Sequence, residues 1–172
     1  NPVGSYIREF TVPEEWDGRR IILHFGGVYS AYYVWVNGRQ VGYAEDSCLP
    51  SEFDMTDYVR KGENKLAVKV YKWADGSYLE DADHWRMAGI HREVYLMGLP
   101  KVSIYDFGGR TEMVNGLEDA LLQVRPEIAN AAGEDLAGWN ISVQPYDRSD
   151  IPVVDEPVTI EANAITNEPS PQ

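Results

Sequence analysis

The chain has 172 residues, of which 44% are hydrophobic and 12% aromatic, enough for one large β domain or two small ones. Its net charge of −13 argues against nucleic acid and an anionic membrane surface as partners, because both attract basic patches. A single cysteine, Cys48, excludes an internal disulfide framework and fits a reducing, cytoplasmic compartment, with periplasm and secretion left open. No apolar run approaches the length that crosses a bilayer.

In the first hundred residues, hydrophobic positions alternate with the period of half-buried β-strands. Strands are predicted over residues 6–12, 20–25, 31–36, 39–43, 66–71 and 94–96. Asn37-Gly38 predicts a tight hairpin, because a type I′ turn needs positive φ at both central positions. Residues 53–59 are compatible with one helical turn, capped by Asp54 and ended by Gly62. Short strands at this spacing indicate a sandwich or jelly roll.

A domain boundary is predicted at Gly98-Leu99-Pro100, beyond which aromatic density falls. Further strands are expected over residues 102–105, 120–128, 139–144 and 153–160. They favour an immunoglobulin-like sandwich, although about 100 residues are typical of that fold. The predicted fold class is all-β, with a partial jelly-roll-type β-sandwich over residues 1–99 and an immunoglobulin-like β-sandwich, complete or partial, over residues 100–172.

A long polar excursion, residues 73–92, separates the strands at 66–71 and 94–96. Long loops inside compact domains are uncommon unless they carry function. This one combines tryptophans, which can stack on a pyranose, with carboxylates, which accept hydrogen bonds from hydroxyls and can bind a hard cation. Composition alone favours the plainer alternative, a solvated acidic loop whose tryptophans pack into the core.

The loop carboxylates Glu80, Asp81 and Asp83 are nearly adjacent along the backbone. A glycosidase needs two carboxylates on opposite sides of the bond that it cleaves. Adjacent side chains rarely converge from opposite sides of a ligand, so we expect these groups to bind a ligand or a cation rather than to form a catalytic pair.

The basic residues of the chain have structural and functional interpretations. His24 lies in an apolar strand and is expected to be a satisfied core or interface residue. His84 and His91 are seven residues apart on the loop, which is a weak metal signal. Arg86 and Arg92 could clamp the loop's own carboxylates or meet an acidic or sugar ligand, and the structural role is favoured.

Several segments of the first hundred residues carry a further signal. They are residues 26–31 (GGVYSA), 35–39 (WVNGR), 41–43 (VGY), 46–54 (DSCLPSEFD) and 62–68 (GENKLAV), together with the run 73–92. In these segments the chain resembles the amino-terminal part of the β-galactosidases of glycoside hydrolase family 2. The run 73–92 is more similar to their loop than to that of β-glucuronidases.

This resemblance implies a sugar-binding jelly roll, an immunoglobulin-like domain and then a TIM barrel. In the family the barrel holds both catalytic glutamates of a retaining mechanism, so we expect no catalytic residue in this chain. An asparagine that touches the sugar, and the first jelly-roll strands, are expected to precede Asn1. Magnesium is expected in the catalytic domain rather than here.

The resemblance also assigns site residues. In the Glu-Asp-x-Asp-x-Trp-Arg-Met pattern, Asp83 takes the position of an aspartate that meets galactose hydroxyls and helps to ligate a sodium ion. Trp85 is the second residue expected to bind substrate. The expected partners are a β-galactoside, the TIM barrel of the same parent chain and further copies of a homo-oligomeric parent. A free-standing carbohydrate-binding module and a structural or oligomerisation domain stay open as alternatives.

Overall fold

The computed structural model describes residues 1–79 and 87–165, and it divides into two compact units, Asn1–Pro100 and Lys101–Gln172. In the described residues both units are built from antiparallel strands, which confirms the all-β prediction. The immunoglobulin-like assignment of the second unit stays a prediction.

The first unit contains eight strands, one α-helical turn and a 3-10 turn at Glu14–Trp16 in its described part. They are β1 (Val3–Val12), β2 (Arg20–Phe25), β3 (Val28–Val36), β4 (Arg39–Asp46), β5 (Ser51–Asp54), β6 (Gly62–Tyr71), the turn α1 (Gly76–Leu79), β7 (Gly89–Ile90) and β8 (Val94–Leu99). One sheet has the order β1-β6-β3-β4, with β7 pairing with β3, and the other has the order β5-β2-β8.

The core of this unit lies between the two sheets. Alternate residues of β3 and β6, among them Tyr32, Val34 and Val68, point inward and are almost fully buried. They meet Leu23 and Phe25 of β2 in one continuous hydrophobic cluster. The remaining alternate side chains of β3 face away from this core, and this outer face carries aromatic residues.

The structure corrects several predicted boundaries in the first unit. β3 begins at Val28, and β4 continues to Asp46. Phe53 and Asp54 belong to β5 rather than to a helical turn, because Phe53 pairs with Leu23 of β2. The turn follows β5, where the N–H groups of Tyr58 and Val59 donate to the carbonyl of Met55.

The second unit contains two separate antiparallel pairs in its described part. Its strands are β9 (Val102–Val114), β10 (Asp119–Asn130), β11 (Asn140–Val143) and β12 (Val158–Glu161). β9 pairs with β10 and β11 with β12. β9 is much longer than the predicted strand at 102–105, whereas the predicted strand at 153–160 is strand only from Val158 onward. A small cluster of Ile128, Ile141 and Ala162 is buried.

Candidate functional site

The candidate site lies on the excursion that leaves β6 at Tyr71 and returns to β8 at Val94. Residues 72–79 and 87–93 of this excursion are described, and they form its two ends. The predicted substrate- and sodium-binding residues Asp83 and Trp85 lie outside the described residues, as do Glu80, Asp81, His84 and Arg86. Their roles therefore stay predictions.

One long-range pair of hydrogen bonds and one local hydrogen bond shape the outgoing end. Trp73 is held by Asn1, whose side-chain amide donates to the Trp73 carbonyl at 2.7 Å and accepts from the Trp73 N–H at 3.1 Å. The buried Ser77 hydroxyl accepts from the N–H of Ala74 at 3.1 Å and so stabilises the start of α1. The Trp73 and Tyr78 ring centroids lie 6.2 Å apart.

A pocket of about 340 Å³ opens beside this end, on the outer face of the β3-β4-β6 sheet. It is lined by Ala31, Tyr33, Tyr43, Glu45, Tyr71, Trp73, Ala74 and Asp75. The strand register explains this grouping, because Tyr33 is paired with Tyr43, while Ala31 is paired with both Glu45 and Tyr71. The small side chain of Ala31 leaves space between its larger neighbours.

The pocket combines aromatic surfaces with hydrogen-bonding groups. The ring centroid of Tyr33 lies 4.7 Å from that of Tyr43 and 6.1 Å from that of Tyr71. The Tyr43 hydroxyl donates to Glu45 Oε2 at 2.7 Å. Desolvation of the phenol raises the pKa of Tyr43. The hydrogen bond to Glu45 and the negative charge of Glu45 raise this pKa further. The phenol therefore stays protonated at neutral pH and keeps donating to the carboxylate.

The return end is attached to β3 and to the turn after β4. β7 places Ile90 opposite Val28 and Gly89 opposite Tyr29. His91 Nε2 lies 2.9 Å from the Ser47 carbonyl oxygen. Arg92 Nη1 donates to the Cys48 carbonyl at 2.8 Å and to the Gly26 carbonyl at 3.3 Å.

The structure settles the surroundings of two basic residues. His24 is partly buried on β2, where Nδ1 lies 2.9 Å from Glu52 Oε1 and the ring stacks on Tyr95 with centroids 4.5 Å apart. It therefore lies on the outer face of its sheet rather than in the core. Arg92 has a structural role in the described part of the chain, where it donates to two backbone carbonyls. Its predicted contact with the loop carboxylates Glu80, Asp81 and Asp83 stays a prediction, because those residues lie outside the described ranges.

Within residues 1–79 and 87–165, no group of three or more histidine, cysteine, aspartate or glutamate side chains could hold a metal ion. The same ranges contain no helix long and apolar enough to cross a membrane. His84 lies outside them, so the weak metal signal of His84 and His91 is not tested.

Sequence reasoning did not anticipate the pocket, although its alternating aromatic residues on β3 and β4 were visible as strand signals. Tyr33, Tyr43 and Tyr71 lie on three strands, and Glu45 lies beyond the predicted end of its strand at residue 43. Their convergence depends on the register between strands, which the sequence pattern of one strand does not contain.

Comparisons with known proteins relate the chain to one family of glycosidases. The model described as "Glycosyl hydrolases family 2, sugar binding domain" matches residues 1–100. A β-galactosidase of Priestia megaterium is 48% identical over 158 residues, which cover 92% of this chain and 15% of that protein. A β-galactosidase of Clostridium acetobutylicum is 49% identical over 122 residues, which cover 71% of this chain and 14% of that protein. The chain thus spans a small part of the length of these relatives.

Solved structures show the same fold. A β-glucuronidase from an uncultured Clostridium sp. superposes with a TM-score of 0.74 at 26% identity, covering 91% of this chain and 28% of that one. A β-glucuronidase from Ruminococcus gnavus superposes with a TM-score of 0.75 at 22% identity, with the same coverage of 91% and 28%. Since the family model matches more than half of the chain, including all of the first unit, the chain belongs to glycoside hydrolase family 2.

Proposed function

We propose that this chain is the amino-terminal part of a retaining β-galactosidase and that it helps to bind the substrate without cleaving the glycosidic bond. The observation that carries this proposal is the 48% identity to a β-galactosidase across 92% of the chain. The backbone similarity to β-glucuronidases supports the fold, and the higher identity to β-galactosidases favours galactose over glucuronic acid as the sugar. The partners would be a TIM barrel later in the same polypeptide and further copies of the parent.

In this proposal Asp83 supplies a carboxylate that accepts hydrogen bonds from the galactosyl hydroxyls. A sodium ion would share its oxygens, since hard cations prefer carboxylate, carbonyl and water ligands. The other ligands of this ion would be carbonyl oxygens, further carboxylates and water. Bond cleavage requires an acid/base and a nucleophile on opposite sides of the bond, and the barrel would provide both.

The test is Asp83→Asn in the full-length parent enzyme, because this change keeps the size of the side chain and removes its charge. We expect kcat/KM for a nitrophenyl β-galactoside to fall by about 100-fold, the scale associated with a mispositioned substrate. Half-maximal activation should also require more sodium. Asp17→Asn is the control, since it makes the same change at an exposed residue.

Two results would contradict this proposal. One is near wild-type kcat/KM and sodium dependence in the Asp83→Asn enzyme. The other is hydrolysis of a β-galactoside by the isolated 172-residue chain, which would place catalytic groups within it.

A second candidate function is carbohydrate binding by this chain alone. The pocket of Tyr33, Tyr43, Tyr71 and Trp73 favours it, because aromatic rings can stack on the C–H face of a pyranose while the neighbouring carboxylates accept hydrogen bonds from its hydroxyls. Calorimetric titration of the isolated chain with galactose and lactose discriminates between the functions. Saturable binding that is lost in Trp73→Ala would favour the binding module, and no heat of binding would argue against it.

A further inference from the structure

We infer that His91 and Arg92 are positioning residues that hold the return end of the 73–92 loop in the geometry that the galactosyl site requires. They do so by contacting backbone carbonyls of two neighbouring turns. This inference rests on the proposed function, in which the same loop contributes Asp83.

The first step is the contact with the turn after β4. Arg92 Nη1 donates to the Cys48 carbonyl at 2.8 Å, and His91 Nε2 lies 2.9 Å from the Ser47 carbonyl oxygen. This turn is itself preformed, because Asp46 Oδ1 accepts the N–H groups of Cys48 and Leu49, each at 2.9 Å. The two side chains therefore bind a fixed support rather than a loose segment.

The second step is the contact with the turn between β2 and β3. Arg92 Nη1 also donates to the Gly26 carbonyl at 3.3 Å. Backbone bonds reinforce this contact, with Gly26 N–H donating to Glu93 O at 2.9 Å and His91 N–H donating to Gly27 O at 3.2 Å. One guanidinium nitrogen thus joins the return end of the loop to both turns.

The third step is the lack of space at Gly27. A Cβ atom there would lie 2.8 Å from His91 Cε1, 2.9 Å from His91 Nε2 and 3.0 Å from Arg92 Cδ. Position 27 must therefore lack a side chain for His91 and Arg92 to lie this close to its backbone. An alanine at position 27 would displace them without changing any charge or hydrogen-bonding group.

These contacts bear on binding because the loop enters the sheet through β7 directly before His91. Asp83 lies outside the described residues, and we expect a shift of the return end to be passed along the backbone to it. Misplacement by about 1 Å can reduce a rate about 100-fold. Both described acceptors of Arg92 are carbonyls that accept from one guanidinium nitrogen, so the ammonium group of a lysine, which has three donors, should keep part of this contact.

The experiment uses the full-length enzyme with Arg92→Ala, Arg92→Lys and Gly27→Ala. The matched control is Arg39→Ala, because Arg39 Nη1 donates to the Asp57 carbonyl at 2.8 Å and its guanidinium lies 4.4 Å from the Tyr58 ring centroid, away from this loop. For each variant, the dissociation constant of D-galactose, KM and kcat for a nitrophenyl β-galactoside, and the unfolding temperature are measured.

We expect Arg92→Ala and Gly27→Ala to weaken galactose binding and raise KM by about tenfold, with a smaller effect for Arg92→Lys. Arg39→Ala should lower the unfolding temperature and leave galactose binding unchanged. Equal galactose affinity in all four variants would overturn the inference and leave Arg92 a purely structural residue. If Arg92→Ala does not fold, Arg92→Lys and Gly27→Ala decide by the same criterion.

This outcome is separable from the test of Asp83. If Asp83→Asn weakens galactose binding and the Arg92 and Gly27 variants do not, the positioning role is wrong and the proposed function stands. If Asp83→Asn has no effect on binding or activity, the proposed function itself is wrong.

Discussion

Asn64 shows how one buried polar side chain organises the end of the sandwich. The residue is 1% exposed, and its Oδ1 atom accepts from the Arg60 N–H at 2.9 Å and from Asn37 Nδ2 at 2.8 Å. Its Nδ2 group donates to the carbonyls of Arg60 and Gly62, each at 2.9 Å. All four hydrogen-bonding positions of the amide are therefore used, which offsets the cost of burying it.

Asn64→Ala would leave several of these buried groups without a partner. We expect the free energy of unfolding to fall by about 3 kcal/mol, measured by urea denaturation. Lys65→Ala is the control, because that side chain is exposed and its ion pair with Glu9, at 3.3 Å, is worth at most about 1 kcal/mol. Equal losses in the two variants would contradict the role assigned to the Asn64 network.

Asp54 links β5 to β2 and carries a pH dependence. Burial by itself would raise the pKa of Asp54, but hydrogen bonds from the side chain and backbone of Thr56, and then from Arg20, outweigh it and lower this pKa. Arg20 Nη2 lies 2.9 Å from Asp54 Oδ2. A carboxyl whose pKa is lower in the folded state stabilises the protein above its unfolded pKa of about 3.9 and loses that contribution as pH falls through the folded value.

Asp54→Asn should therefore lower the unfolding temperature at pH 7 and reduce its decline below about pH 4. The exposed Asp17→Asn makes the same charge change and should leave the acid decline as it is in the unaltered protein. An Asp54→Asn variant with an undiminished acid decline would show that other carboxyls produce it.

At the scale of the element, the hairpin between β3 and β4 agrees with its sequence signal. Asn37 has φ of 51° and Gly38 has φ of 81°, the positive values that the Asn-Gly pair predicted. The Asn37 side chain adds support, because Oδ1 accepts from the Lys65 N–H at 3.1 Å and Nδ2 donates to the Tyr58 carbonyl at 3.0 Å.

Gly38→Ala would place a Cβ atom in this left-handed conformation. The expected loss is about 1 kcal/mol in the free energy of unfolding, without a change in the denaturant slope. Gln40→Ala, two residues along and exposed, serves as the control and should be nearly neutral. A neutral Gly38→Ala would mean that the turn changes its type at no cost.

β5 shows where element prediction failed. Residues 51–54 are too few to display a clear alternation, and Asp54 resembles a helix cap in isolation. The strand exists because β2 offers a partner, so that Phe53 lies opposite Leu23 and reaches the core. Pairing with a distant segment thus outweighs the local preference.

At the scale of the whole molecule, the two units differ in how much apolar surface they bury. In the described part of the chain, twelve buried residues form the core cluster of the first unit and three form that of the second. Large side chains on β9 and β10 remain exposed, such as Phe107 at 67% and Leu121 at 49%. Since hydrophobic burial is the main source of stability, the first unit should be the more stable one.

Hydrogen exchange of the isolated chain tests this difference. We expect amides of β3 and β6 to exchange most slowly, because these are the two inner strands of their sheet and they pack on the core of the first unit. Amides of β9 and β10 should exchange faster, although these two strands are hydrogen-bonded over a long stretch, because little apolar surface is buried against them. Amides of β1, which pairs with β6 alone among the described strands, provide an internal reference for an edge strand. Equal or greater protection of β9 and β10 would contradict the assigned order of stability.

Local patterns in the sequence determined the all-β class, most strands of the first unit and the Asn37-Gly38 turn, because alternation and turn chemistry act over a few residues. Resemblance of several short segments indicated the family, and it singled out Asp83 and Trp85, whose roles stay predictions. Tertiary structure alone decided that Tyr33, Tyr43 and Tyr71 share one pocket and that Arg92 donates to the carbonyls of Cys48 and Gly26. The reason is that these contacts join segments far apart in the chain, and their geometry depends on strand register and sheet packing, which no single stretch of sequence specifies.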